Sequence, residues 1–379
     1  MQRVAGEGGA ALDRALWGLG RRALGHGRVL CASDTKGVPG IQRVLRRWVN
    51  RGSLALVAWL GLALSGCSGD RSILDPAGQA AREVAWLWWG MLAFSTVVLV
   101  VITLLWLYAF RGGQRAERST RDEQRIARRW IIGGGLLLPG LSIVVLLAFG
   151  VPVGQRMLPL PLPDGQQAER IEVIGHQWWW EVRYPDAEGG EVVTSNQLMM
   201  PVGEPVDFHV TGADVIHAFW IPRLGGKIDM IPGRTNVIRL EADFAGVFGA
   251  QCAEFCGAQH TNMQLHVEAM PRDDFEAWLA ARQSPPEPPD DTAQEAFVEH
   301  CASCHRVAGV SDGQQGPDLS DIGDRVNLGA GRLAMEEGAI AYWLRHHQQL
   351  KPGNRMPSHD HLDAETLDAL GAWLETLSP

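Results

Sequence analysis

Hydrophobic positions along the chain follow three successive patterns. Residues 84–110 and 130–155 carry no charged side chain, and each run exceeds the roughly 20 residues that a membrane helix needs. From residue 169 the period changes to two. Val206, Phe208 and Val210 alternate with polar residues in PVDFHVT (205–211), as do Ile238, Leu240 and Ala242 in NVIRLEA (236–242). Met263, Leu265, Val267 and Ala269 do the same in MQLHVEA (263–269). Short alternating runs separated by Gly and Pro predict an all-β sandwich or barrel. Beyond 272 the pattern becomes helical. DDFEAWLAARQ (273–283) reads as a short amphipathic helix, and Asp363 to Leu377 puts Leu367, Leu370, Leu374 and Leu377 on one face.

Polar flanks orient the spans. Trp86, Trp88, Trp89, Trp106 and Tyr108 lie near the ends of the first, where interfacial aromatics sit. Between the spans, residues 111–129 hold seven Arg, which predicts a cytoplasmic loop and places everything after about 155 outside. Upstream, basic residues 41–51 and the apolar stretch 54–64 read as a signal peptide. It ends in LSGC (64–67), which resembles a bacterial lipobox, so Cys67 is expected to be lipidated and to emerge on the outer side, in agreement with the loop charge. Cys31, in the leader, has no assigned role. Net charge is −9; beyond residue 66 there are 24 basic against 40 acidic residues. That balance suggests a basic partner or plain solubility, and nucleic acid is not an expected partner.

Six cysteines are present, but the contexts of the last five argue against three structural disulfides. QCAEFCGAQHTNM (251–263) places Cys252, Cys256, His260 and Met263 within thirteen positions. Met263 alone reads as a core residue. Thiolate, imidazole and thioether together select copper, zinc or iron, and a thioether argues against zinc. DVIHAFW (214–220) supplies a further histidine, His217, in an otherwise apolar strand end. With GHQWWW (175–180), DVIHAFWIP (214–222) and GGKIDMIPGRTN (225–236), these stretches resemble cytochrome c oxidase subunit II from Glu83 to about Pro271.

The resemblance implies a two-helix transmembrane hairpin followed by a cupredoxin-like sandwich with a dinuclear copper centre (CuA). Cys252 and Cys256 would bridge both ions. His217, Met263, His260 and the Glu254 carbonyl would fill the terminal positions, with His260 paired with that carbonyl. The Glu254 side chain would reach a Mg²⁺ shared with subunit I, a suitable role for a hard carboxylate. Asp214 and Asp229 would support the site or its interface. Phe219, Trp220 and Phe255 are expected to exclude solvent from the metals. Trp178, the first tryptophan after GHQ, would be where electrons enter. In a period-two strand Trp178 and Trp180 share one face and Trp179 takes the other, so at least one face carries a wet or partner-bound ring. One departure stands out: many relatives carry a glutamate about two turns before the proline of the second span, but counting back from Pro139 reaches Ile132, Ile131 and Trp130.

SPPEPPDD (284–291) is a semi-rigid, Pro-rich spacer. After it, Thr292 to Glu295 matches a capping box, and the helix it starts ends in Cys301-Ala302-Ser303-Cys304-His305. In an exported protein the C-x-x-C-H motif reads as covalent haem c attachment, with Cys301 and Cys304 bound to the haem and His305 as one axial ligand. Met356, in KPGNRMPSH (351–359), is the expected second; Met335, His346, His347, His359 and His361 are its rivals. His/Met ligation raises the potential relative to bis-His. QGPDLS (315–320) resembles the class I cytochrome c segment whose proline, here Pro317, packs by the proximal histidine.

The expected organisation is a leader (1–66), an outer segment (67–82), a hairpin (83–156, spans about 84–110 and 130–153), a copper domain (165–272), a helix and linker (273–291) and an all-α class I cytochrome c domain (292–379). The expected function is subunit II of a bacterial cytochrome c oxidase. It would take electrons from a cytochrome c-type donor through haem c and pass them by way of CuA to haem a of subunit I, where oxygen is reduced to water with proton translocation. Expected partners are subunits I and III, the donor and membrane lipid, at the inner membrane with both redox domains periplasmic. Two other readings fit the local motifs: the copper subunit of a nitric oxide reductase-type enzyme, and a copper-delivery assembly protein.

Overall fold

The computed structural model describes residues 68–111, 119–165, 167–283 and 291–379. The leader, Cys31, Cys67, residues 112–118 and the Pro-rich segment 284–290 lie outside the described residues.

Helix α1 (Gln79–Arg111) is the first candidate span. The second is a continuous helical run of α2 (Thr120–Trp130), a π-helical stretch Ile131–Leu137 and α3 (Leu138–Arg156). Helix therefore resumes inside the segment expected to be loop. Ser119 explains the early start: its hydroxyl accepts from Asp122 N at 3.3 Å, and Asp122 and Glu123 sit in the first turn. The widened turn falls on three glycines just before Pro139, whose missing N–H interrupts the regular ladder. At the outer ends Arg156 pairs with Glu83 at 3.2 Å. The apolar side chains of both spans face outward, as lipid contact requires.

The β-domain contains ten strands. They are β1 (Glu169–His176), β2 (Trp179–Tyr184), β3 (Val192–Ser195), β4 (Gln197–Pro201), β5 (Val206–Gly212), β6 (His217–Trp220), β7 (Ile228–Met230), β8 (Asn236–Leu240), β9 (Gly246–Cys252) and β10 (Gln264–Met270). They form two five-stranded sheets, ordered β3-β2-β1-β5-β8 and β4-β10-β9-β6-β7. The three alternating runs become β5, β8 and β10, and their apolar faces meet between the sheets. Phe208 and Phe219 lie 5.2 Å apart across that core, with Trp180 6.2 Å beyond. Helix α4 (Arg272–Arg282) buries Phe275 against Tyr184.

The last domain has three helices, α5 (Asp291–His300), α6 (Ala339–Leu350) and α7 (Ala364–Glu375). Asp363 caps α7 by accepting from Thr366 N at 2.7 Å. The predicted leucines, Leu367, Leu370, Leu374 and Leu377, are all buried, and Trp373 meets Phe297 of α5 at 4.9 Å. Two two-stranded hairpins complete the domain: β11 (Arg306–Val307) with β12 (Ser311–Asp312), and β13 (Asn327–Leu328) with β14 (Leu333–Ala334).

Candidate metal and haem centres

The copper loop is the connection between β9 and β10. These strands pair antiparallel, and Cys252 N donates to Met263 O at 3.1 Å, closing the loop at its neck. β6 runs beside β9 with Phe219 opposite Cys252, so His217, two residues earlier on the same face, comes next to the thiol. The result is a tight cluster of donor atoms. Cys252 Sγ lies 3.8 Å from Cys256 Sγ, 3.9 Å from His217 Nδ1 and 3.2 Å from Glu254 O. Cys256 Sγ lies 3.6 Å from His260 Nδ1 and 3.9 Å from Met263 Sδ. Both cysteines are free thiols. His217 is 0% exposed, and both cysteines and Met263 are buried.

The surroundings orient these ligands. Asp214 Oδ1 lies 2.9 Å from His217 Nε2, which turns Nδ1 toward the sulfurs. Two backbone amides, Gln177 N and Val215 N, also bond that carboxylate. Burial would raise the Asp214 pKa, but His217 and these amides hold it below the usual range. Gly175 leaves room for the His217 ring, which a Cβ there would meet at 3.0 Å. The hydrogen bond between the two thiols lowers the pKa of Cys252 and raises that of Cys256. A bound cation would displace any thiol proton that remains. This soft, buried donor set of two thiolates, imidazoles and a thioether fits copper.

Other expected residues fall as follows. The Glu254 side chain is 46% exposed and points away from the thiols toward Lys227, at 3.5 Å. Phe219 is buried and Trp220 half-buried, but Phe255 is 77% exposed, which corrects its expected role as a solvent shield. The Cys256 carbonyl is bonded from one side by Gln177 and Trp178, and the Phe255 ring lies outside the loop. Trp179 is the partly exposed tryptophan, stacked on His176 at 4.1 Å. Trp178 sits in the turn between β1 and β2 and is only 9% exposed; its Nε1 donates to Cys256 O at 3.1 Å.

In the helical domain, Cys301 N donates to Phe297 O at 2.8 Å and His305 N to Cys301 O at 3.0 Å, so the C-x-x-C-H turn continues from α5. Cys301 and Cys304 are free. Burial, then Cys304, pushes the Cys301 thiol up to about 11. His305 Nδ1 donates to Pro317 O at 2.8 Å, which leaves Nε2 for iron. Gly316 forms a cradle: a Cβ there would lie 2.5 Å from the imidazole. Burial lowers the His305 pKa, favouring the neutral ligand form. Thiols, oriented imidazole and cradle together fit covalent haem c. Met356 is partly buried against the helical core, its backbone held by Asn354 Oδ1 (to N, 3.0 Å) and Gln348 Nε2 (to O, 2.7 Å).

Sequence reasoning did not find the junction between these domains. Asp321 is buried among Thr194 of β3, Arg282 of α4 and Arg325. Thr194 Oγ1 donates to it at 2.7 Å, Arg282 Nε at 3.3 Å and Arg325 Nε at 3.1 Å. Lys351, 3% exposed, donates to the carbonyls of Trp178 (2.6 Å), Asn262 (2.9 Å) and Gly329 (2.7 Å). Burial, then repulsion from Arg332, pulls its pKa down to about 7, so it depends on those carbonyls to stay charged there. No local spacing marks either residue.

A two-span anchor carrying a copper-type sandwich and a C-x-x-C-H helical domain defines a membrane-bound electron-transfer subunit. Comparison with known proteins gives the family. The family described as "Cytochrome C oxidase subunit II, periplasmic domain" matches residues 191–270, and "Cytochrome c" matches 291–378. "Cytochrome c oxidase subunit 2" of Alkalihalophilus pseudofirmus is 32% identical over 354 residues, covering 88% of this chain and 99% of the relative. That of Bacillus subtilis is 29% identical, covering 86% and 97%. The crystal structure of the periplasmic domain of subunit II of cytochrome oxidase from Bradyrhizobium japonicum is 34% identical, with a TM-score of 0.30, covering 31% of this chain and 96% of that one. The protein belongs to the cytochrome c oxidase subunit II family and carries a fused cytochrome c domain. It is part of a haem–copper oxidase complex, with two membrane-spanning helices and a periplasmic domain.

Proposed function

We propose that His217, Cys252, Cys256, His260, Met263 and the Glu254 carbonyl hold a dinuclear copper centre. On the same reading Cys301 and Cys304 carry one haem c, with His305 and Met356 as its axial ligands. When bound, these groups supply one-electron carriers between a cytochrome c-type donor and the haem a and haem–copper site of subunit I. The protein's own contribution is to hold them. Asp214 sets the His217 tautomer, Pro317 O sets that of His305, and the closed β9–β10 neck keeps the sulfurs in register. The observation that carries the reading is the convergence of four further donors on the 3.8 Å Cys252–Cys256 pair.

The finer assignments follow from position. The Glu254 carboxylate, outward-facing and paired only loosely with Lys227, suits a Mg²⁺ shared with subunit I. Subunits I and III would pack on the hairpin, and acylation of Cys67 would add a lipid anchor at the start of the outer segment. The domain boundaries expected above are retained.

Metal analysis and EPR of the purified full-length protein test this. Two coppers and one haem per molecule are expected, with a mixed-valence hyperfine pattern from the copper pair and loss of that pattern in His260→Gly. Fewer than two coppers per iron overturns the reading.

A further inference from the structure

The segment that carries Met356 begins with Lys351, and almost every contact this segment makes with the copper domain falls next to a proposed copper ligand. Pro352 O accepts from Gln259 Nε2 at 2.8 Å, beside His260. Arg355 lies 3.3 Å from Gln177 Oε1 and 3.8 Å from Asp214, the partner of His217. From the β13–β14 turn of the same domain, Arg332 Nη1 donates to Asn262 Oδ1 at 3.3 Å, beside Met263. At the centre is the Lys351 ammonium, bonded to Trp178 O, Asn262 O and Gly329 O.

An ammonium has three N–H donors, and here each finds a carbonyl on a different segment. One is in the β1–β2 turn, one is in the copper loop and one belongs to the β13–β14 turn of the haem domain itself. No carboxylate lies within ion-pair distance of Lys351 among the described residues. A buried lysine without a carboxylate is stable only where carbonyls surround it, and this ring of carbonyls is complete only when both domains are docked. The path from Lys351 to the copper ligands is short: Trp178 O accepts from Lys351, and Trp178 Nε1 donates to Cys256 O.

We infer that Lys351 is a positioning residue that fixes the haem-binding loop against the two segments flanking the copper ligands. The two redox sites then keep one separation instead of meeting by tethered diffusion. The inference rests on the copper and haem assignments above. It also bears on Trp178, whose carbonyl is held by the haem-domain lysine while its ring bonds the copper loop, which places it between the two redox domains.

The test uses the full-length, cofactor-loaded protein as wild type, Lys351→Met and Lys351→Arg. The first readout is the relaxation of the mixed-valence copper EPR signal by the ferric haem, which reports their separation and requires no turnover. The second is the haem–copper electron-exchange rate after photoreduction, measured at increasing viscosity. Wild type should show a single relaxation behaviour and a viscosity-independent rate. Lys351→Met should broaden the relaxation, slow the rate about tenfold and make it viscosity-dependent. Lys351→Arg, charged but with a planar fork in place of a tripod, should fall between. Unchanged relaxation and rate in both variants overturns the inference. So does an altered haem spectrum with unchanged copper–haem relaxation, because that is what a role confined to the haem loop produces. Absence of either signal from the wild type would instead sink the cofactor assignments.

Discussion

The copper loop holds its donor atoms within 3.2–3.9 Å of a cysteine sulfur. The haem region prepares one side of its iron and leaves the other on a loop. His305 is locked by Pro317 and Gly316, while Met356 rides on a segment held by Asn354 and Gln348. In the same domain, His359 Nε2 and His346 Nδ1 are buried with no hydrogen-bond partner among the described residues. The cause is scaffold. The copper loop is clamped at both ends by paired strands, with β6 alongside. The haem domain has three helices and two-residue strands. A sandwich with its own core can preform a metal site, whereas a small helical domain needs the haem as part of its core.

The largest test of that contrast removes each attachment in turn. Cys301→Ser with Cys304→Ser should abolish covalent haem and the cooperative melting of the haem domain, and leave the copper EPR signal intact. Cys252→Ser with Cys256→Ser should abolish copper binding, leave the haem spectrum intact and keep the sandwich folded, as circular dichroism and hydrogen exchange would show. A haem domain that melts cooperatively without haem would remove the contrast.

Next comes the clasp that joins the two regions. Asp321 faces two buried guanidinium groups, Arg282 and Arg325. Asp321→Asn keeps the shape but leaves Arg325 without a carboxylate and Arg282 with only Asp324. The expected cost is about 3–5 kcal/mol, read as a lower denaturant midpoint with both cofactor spectra unchanged. A cost below about 1 kcal/mol would mean that water already reaches the site.

A smaller and more local effect is expected at Gly175. Alanine there pushes against the His217 ring, at about 1–3 kcal/mol, and should shift the copper spectrum without touching the haem spectrum. If the copper spectrum does not move, His217 is not held where the structure puts it.

Much of the molecule was legible because each feature has a local cause. Uncharged runs gave the spans, and period-two stretches gave β5, β8 and β10. C-x-x-C-H gave the turn after α5. The copper ligands were legible because four of their side chains share one loop; His217, on another strand, was found by asking what completed the set. Misread features depend on tertiary context. Phe255 is apolar by composition but points outward. Trp178 could be assigned to a face but not to a neighbour, since the group that bonds its carbonyl is a lysine 173 residues away. Lys351, Asp321 and Arg282 carry ordinary charge patterns, and only the fold brings them together.

The smallest effect over working conditions is that of pH on the clasp. Burial alone would raise the Asp321 pKa, but Arg325, Arg282 and the Thr194 hydroxyl more than offset this and hold it below the ordinary aspartate range. The docked arrangement therefore favours the carboxylate. Its contribution is complete above the unfolded value of about 3.9, and it is lost only as pH falls through the lowered native value. Denaturant midpoints measured between neutral pH and about pH 3 should show no Asp321-dependent change until the acid end. There the difference between wild type and Asp321→Asn should shrink. A difference that already shrinks between pH 7 and 5 would mean that Asp321 is neutral in the docked state, and the clasp would then be a hydrogen-bonded contact and not an ion pair.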